Sequence, residues 1–190
     1  MLNPEFLRAK FHVAMEYGPY VGTGNADQRA NWERVHAAVR LTDQQVALIQ
    51  GFTRAMHILV VSGTWCGDCV QQCPILDHVA RTHPGRIRLR LLDRDANLDL
   101  AEQVRICGGL RVPTALFLDE DWEFVSLLGD RTLSRYRAIA SRTLGASCPL
   151  PGWVPGGDEL AASVADWLGE IERVQLILRL SPRLREKHGD

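Results

Sequence analysis

Trp65-Cys66-Gly67-Asp68-Cys69 is the segment of this chain best equipped for chemistry. Residues three apart on a helix are neighbours on its surface, so the two cysteine sulfurs can meet without moving the backbone. The motif follows a short apolar, β-branched run, His57-Ile58-Leu59-Val60-Val61-Ser62, which reads as a buried strand. It opens a helical stretch from Cys66 to Arg81, with Pro74 as an expected kink. Cys66 therefore falls at a helix N-terminus, where unpaired N–H groups and the positive dipole end favour a thiolate. A thiolate attacks a disulfide sulfur and forms a mixed disulfide, and a second thiol one turn on then releases the reduced partner. This geometry casts Cys66 as nucleophile and Cys69 as resolving thiol.

Other uses of the same cysteines stand beside this one. A structural pair, or half of a metal site, would also place two cysteines here. A zinc site needs about four ligands. Cys73 extends the motif only to Cys-x2-Cys-x3-Cys, with no histidine at a fitting spacing. Iron–sulfur ligation is possible by count but lacks a recognisable fourth ligand. The redox reading is preferred, and no metal is expected. Cys73 is either a small buried residue or a spare thiol guarding Cys69 from overoxidation. Cys107 and Cys148 either pair or stay free, since proximity cannot be read from sequence. His12, His36, His57, His78, His83 and His188 are scattered, which disfavours a Cys–His hydrolase.

The elements that must position the motif follow from patterning. Asn3-Pro4-Glu5 opens a first helix with Phe6, Leu7, Phe11 and Met15 on its apolar side, broken at Gly18-Pro19 and Gly22–Asn25. A second helix is expected over Asp27–Arg40, burying Trp32, Val35, Ala38 and Val39. Thr42 and Gln45 form a capping box for a third, ending near Arg54 and burying Val46, Ile49 and Phe52. After the motif come a strand at Ile87–Leu92, a helix at Leu98–Ile106 and a strand at Val112–Leu118. A returning strand at Glu123–Leu128 and a helix at Leu133–Leu144 follow. The order is β-α-β-α-β-β-α: a parallel crossover, then a hairpin with a covering helix. A Pro/Gly linker runs from Cys148 to Gly157, and Asp158 caps a long amphipathic helix reaching Leu180. Ser181–Asp190 is polar and expected to fray.

Composition bounds the rest. The chain has 190 residues, 46% hydrophobic and 24% charged, enough for one core domain with additions at both ends. A formal net charge of −1 gives no global field to steer nucleic acid or anionic lipid. The local basic clusters Arg81–Arg90 and Arg131–Arg142 read as solvated faces. There is no apolar run of the ~18–20 residues that a membrane span needs, and no signal-peptide pattern. Five cysteines, three of them clustered, are not a secreted disulfide framework. A cytoplasmic protein is expected.

With these residues in view, the sequence resembles the thioredoxin family. Carrying the resemblance are Trp65-Cys66-Gly67-Asp68-Cys69, Pro74 with Ile75-Leu76 after it, and Val112-Pro113-Thr114 heading a later strand. The resemblance implies an α/β thioredoxin-like fold, a central mixed sheet flanked by helices, with residues 1–55 as a helical extension, 56–145 as the core and 146–190 as linker and helix. It implies a cis Pro113 facing the dithiol, leaving the Val112 backbone free to pair with an extended substrate, and Trp65 lining the same groove. It implies thiol–disulfide exchange with protein or small-molecule disulfides, electrons from a reductase or small thiol, and no bound cofactor. A redox-sensing binding module is the alternative function. Two departures stand out. Asp68 replaces the family's usual proline, and Gly67 and Asp68 are expected to tune the couple. A carboxylate there opposes thiolate formation, which predicts a potential nearer about −270 mV than about −120 mV. The buried aspartate that commonly serves the second cysteine is matched by Val60.

Overall fold

The computed structural model describes residues 2–144 and 158–190. Cys148, and with it the question of a Cys107–Cys148 pair, lies outside the described residues, as does the whole Pro/Gly linker.

Four strands form one sheet: β1 (Met56–Ser62), β2 (Ile87–Asp93), β3 (Thr114–Leu118) and β4 (Phe124–Gly129). Their spatial order is β2-β1-β3-β4. β1 pairs parallel with β2, while β1/β3 and β3/β4 are antiparallel. Every residue of β1 and β3 is buried. That explains their near-continuous apolar sequence, since a strand covered on both faces has no polar side to alternate with. The expected mixed sheet is thus present, and helices pack around it.

The N-terminal region is built on clear caps. Asn3 accepts a hydrogen bond from Phe6 N–H at 2.8 Å and starts α1 (Pro4–Val13), which buries Leu7 and Phe11. Met15 is not on that helix. It lies beyond it and exchanges hydrogen bonds of 2.9 and 2.8 Å with Leu91, covering the open edge of β2. The Gly18-Pro19 break is also corrected, because these residues sit in the first turn of α2 (Tyr17–Gly22). A proline there loses nothing, since first-turn N–H groups have no helical partner anyway. Asn25 and Gln28 make a reciprocal capping box for α3 (Ala26–Ala38). This helix stops before Arg40. Trp32 and Val39 are buried, but Ala38 is exposed and Val35 only half-buried. Thr42 and Gln45 cap α4 (Asp43–Gln50), as predicted, and Phe52 is buried past its end.

The crossover helix α5 (Gly67–Thr82) starts within the cysteine motif, and Cys66 is its N-cap. Pro74 lies inside it, as the sequence predicts. A short helix α6 (Leu98–Ala101) and a 3-10 turn (Glu102–Val104) replace the single helix expected over Leu98–Ile106. Ile106 instead closes a tight turn back onto Gly109, exchanging hydrogen bonds of 3.0 Å. Helix α7 (Leu133–Leu144) follows β4.

Near the C-terminus, Asp158 accepts hydrogen bonds from Leu160 and Ala161 N–H and so starts α8 (Glu159–Leu180), as predicted. Val164, Trp167, Leu168, Ile171, Val174 and Leu178 make its buried stripe, at the spacing read from the sequence. The expected fraying of the last residues is overturned. Pro182–His188 forms α9, with Leu184 buried. Arg183 pairs with Asp119 and Asp121, and Lys187 with Glu120 at 2.8 Å. These acids occupy the turn between β3 and β4, so opposite charges remote in sequence hold the helix down. One core cluster takes in buried side chains from Leu7 to Leu184.

Candidate functional site

The cysteine motif lies where β1 hands over to α5. Cys66 is partly exposed, whereas Cys69 is fully buried one turn behind it. The Cys69 N–H donates to Cys66 Sγ at 3.5 Å, making the cysteine sulfur the helix cap. Cys66 Sγ also lies 3.5 Å from the carbonyl oxygen of Val112, to which its thiol donates. The Val112–Pro113 bond is cis, and both residues are buried. Trp65 is about half exposed beside them, at 49%. The structure thus brings together Trp65, Cys66, Cys69, Val112 and Pro113, the residues singled out in the sequence.

Two glycines permit close approaches at this site. A Cβ on Gly63 would lie 2.7 Å from the Trp65 ring, so the indole folds over a bare backbone. A Cβ on Gly129 would lie 2.6 Å from the Pro113 carbonyl oxygen, so β4 can run against the cis-proline segment.

The protonation balance differs from the simple expectation. In the reduced pair the Cys66 thiol is pushed well above its ordinary range, first by its hydrogen bond with the Cys69 side chain and then by burial. The backbone N–H groups of Cys69 and Asp68 pull the other way without prevailing. Burial likewise raises Cys69. The helix tip alone therefore does not ionise Cys66 while Cys69 stands protonated beside it.

Asp68 also behaves differently from a lone carboxylate. Arg131 contacts it at 2.7 Å and Arg135 at 3.0 Å. Gln72 adds hydrogen bonds from its amide to the Asp68 and Asp130 carbonyls, at 3.3 and 2.9 Å. The basic cluster read as a solvated face thus includes two arginines that neutralise Asp68. Their spacing, four apart around the start of α7, is the available sequence signal, but nothing local shows which acid they meet. Gly67 is exposed and has open space around its Cα.

Behind the dithiol, Cys73 is fully buried, with Ser62 Oγ 3.8 Å from its sulfur. Val60 shares the face of β1 with Ser62, because side chains alternate along a strand. β1 itself, Met56–Ser62, carries no carboxylate side chain. Trp32, expected only as a core aromatic, is buried and also donates from Nε1 to the Thr64 carbonyl at 2.9 Å. Helix α3 thereby braces the segment entering the motif. Among the described residues, no group of three or more His, Cys, Asp or Glu side chains could hold a metal ion. No helix there is long and apolar enough to cross a membrane.

A strand leading into a helix capped by the first cysteine, with a buried second cysteine and a facing cis proline, defines a thioredoxin-fold dithiol protein. The comparisons agree: residues 14–137 match the thioredoxin family, and the chain belongs to it. A crystal structure of a protein of unknown function from Pseudomonas aeruginosa is similar, at 23% identity and TM-score 0.67, covering 86% of this chain and 95% of that one. An HIV epitope scaffold is similar at 21% identity and TM-score 0.66, covering 87% and 97%. These likenesses concern the fold. The family membership supports a redox-type thiol protein.

Proposed function

We propose that this protein is a thiol–disulfide oxidoreductase acting on protein or small-molecule disulfides. The observation that carries the reading is one reachable sulfur at a helix cap with a second, buried sulfur one turn behind it. In the reduced protein, Cys66 loses its proton and its sulfur attacks one sulfur of the substrate disulfide. The substrate S–S bond breaks, and the leaving thiolate takes up a proton. Cys69 then gives up its proton and attacks Cys66 Sγ. A Cys66–Cys69 disulfide forms, the bond to substrate breaks, and the second substrate thiol departs. Two electrons have passed from the protein to the substrate. A reductase or a small thiol returns them, and no bound cofactor is required.

The Val112 backbone, beside Cys66 and fixed by Pro113, suits an extended substrate strand, and Trp65 offers an apolar wall. We place this activity in the cytoplasm, with neither nucleic acid nor membrane as partner, and with a potential nearer about −270 mV than about −120 mV. A second reading is a redox sensor whose dithiol state controls a partner interface. The presence of Val60 where a proton-accepting carboxylate would speed resolution favours it.

Insulin reduction driven by dithiothreitol separates the two. Multiple turnovers that vanish in Cys66→Ser support the oxidoreductase. A single slow stoichiometric oxidation, with no turnover, supports the sensor.

A further inference from the structure

Arg94 lies just past β2, outside the motif, yet it touches both segments that frame Cys66. Its guanidinium sits 4.7 Å from the centre of the Trp65 ring, within cation–π range. Its Nη1 donates to the Leu110 carbonyl at 3.2 Å, two residues before Val112. Asp95 anchors the same guanidinium, accepting from Nε at 2.9 Å and lying 2.8 Å from Nη2. The Arg94 main chain is fixed independently, because its N–H donates to the Ser62 carbonyl at 2.8 Å. Gly63 leaves no Cβ to hold the indole away from the backbone beneath it. The planar, five-donor guanidinium can stack and donate at once, which a lysine ammonium cannot do from one position.

We propose that Arg94 is a positioning residue that locks Trp65 to the Leu110–Pro113 segment and so sets the substrate groove beside Cys66. This inference rests on the oxidoreductase reading. Arg94 needs no contact with the reacting sulfurs. Asp95 already balances its charge, so its contribution is to hold shape rather than to attract an acidic substrate. Without it, Trp65 and the Leu110 carbonyl lose their common partner, and an extended substrate meets a groove that it must first order. That cost falls on substrate binding rather than on sulfur exchange.

The test compares wild type, Arg94→Ala and Arg94→Lys in dithiothreitol-driven insulin reduction. KM should rise about fivefold in Arg94→Ala, and less in Arg94→Lys, with kcat within about twofold of wild type. Acrylamide quenching of Trp65 fluorescence, isolated by subtracting the matching Trp65→Phe proteins, should increase in Arg94→Ala. Unchanged KM in a folded Arg94→Ala protein overturns the inference, as does a higher KM without any change at Trp65. If Arg94→Ala does not fold, the same two readouts in Arg94→Lys decide. A wild-type protein that cannot turn over insulin overturns the oxidoreductase reading and the groove role with it. An active wild type with an indifferent Arg94 overturns only the latter.

Discussion

Replacing Asp68 with alanine tests whether the two arginines around it matter. Asp68 lies in the first turn of α5, and its side chain is only 13% exposed. A truncated partner in a fully buried ion pair costs about 3–5 kcal/mol, whereas an exposed pair contributes about 0–1 kcal/mol. Both arginines keep a second acid: Arg131 has Asp130 at 3.3 Å, and Arg135 has Glu159 at 2.6 Å. That relief places Asp68→Ala between the two limits, at about 2 kcal/mol, including about 0.3–1 kcal/mol from losing an acid at a helix N-terminus. With a urea slope of about 1–3 kcal/mol per molar, the unfolding midpoint should fall by roughly 1 M. A double-mutant cycle with Arg135→Ala should show coupling above about 0.5 kcal/mol. A lone, repulsive carboxylate beside the dithiol would instead leave stability unchanged or improve it. Equal midpoints for wild type and Asp68→Ala, with no coupling to Arg135, would refute the reasoning.

Three other outcomes are expected. Trp32→Phe leaves the Thr64 carbonyl without its partner and should cost about 1–3 kcal/mol by urea denaturation; a loss below about 0.5 kcal/mol would contradict the brace. His57 is pushed down to about 4 by burial, then by Arg88 and His12. The unfolded chain thus binds the proton more readily, so its contribution is intact above about pH 6.5 and lost as pH falls toward 4. His57→Phe should flatten the acid side of the stability profile in that window, and an unaltered slope would argue against it. Alkylation of reduced Cys66 by iodoacetamide should climb with pH beyond the ordinary thiol range of about 8.5, since Cys69 and burial hold its proton. A plateau reached below about pH 7 would contradict this.

Much of the fold is legible because its signals are local. β1 and β3 are runs of apolar residues, α4 has its capping box, and the α8 stripe keeps helical spacing. Cys66, Cys69 and Pro113 carry motif-level signals of the same kind. The misreadings come from partners distant in the chain. Met15 leaves its expected helix for Leu91, and the polar tail folds because Asp119, Glu120 and Asp121 meet Arg183 and Lys187. Gly18-Pro19 looks like a break because a proline's tolerance depends on which helical turn it occupies. At the site, Arg94, Arg131 and Arg135 escape sequence reasoning for the same reason. An arginine's role is set by what it reaches across space, and the spacing of charges along a chain does not reveal that.

The division of labour in which Cys66 attacks and Cys69 resolves is tested most directly by trapping. Cys69→Ser and Cys66→Ser proteins, each incubated reduced with oxidised insulin, are run on a non-reducing gel. A dithiothreitol-sensitive adduct should accumulate with Cys69→Ser and be absent with Cys66→Ser. An adduct on Cys69 in the Cys66→Ser protein, or none with either, would contradict the account.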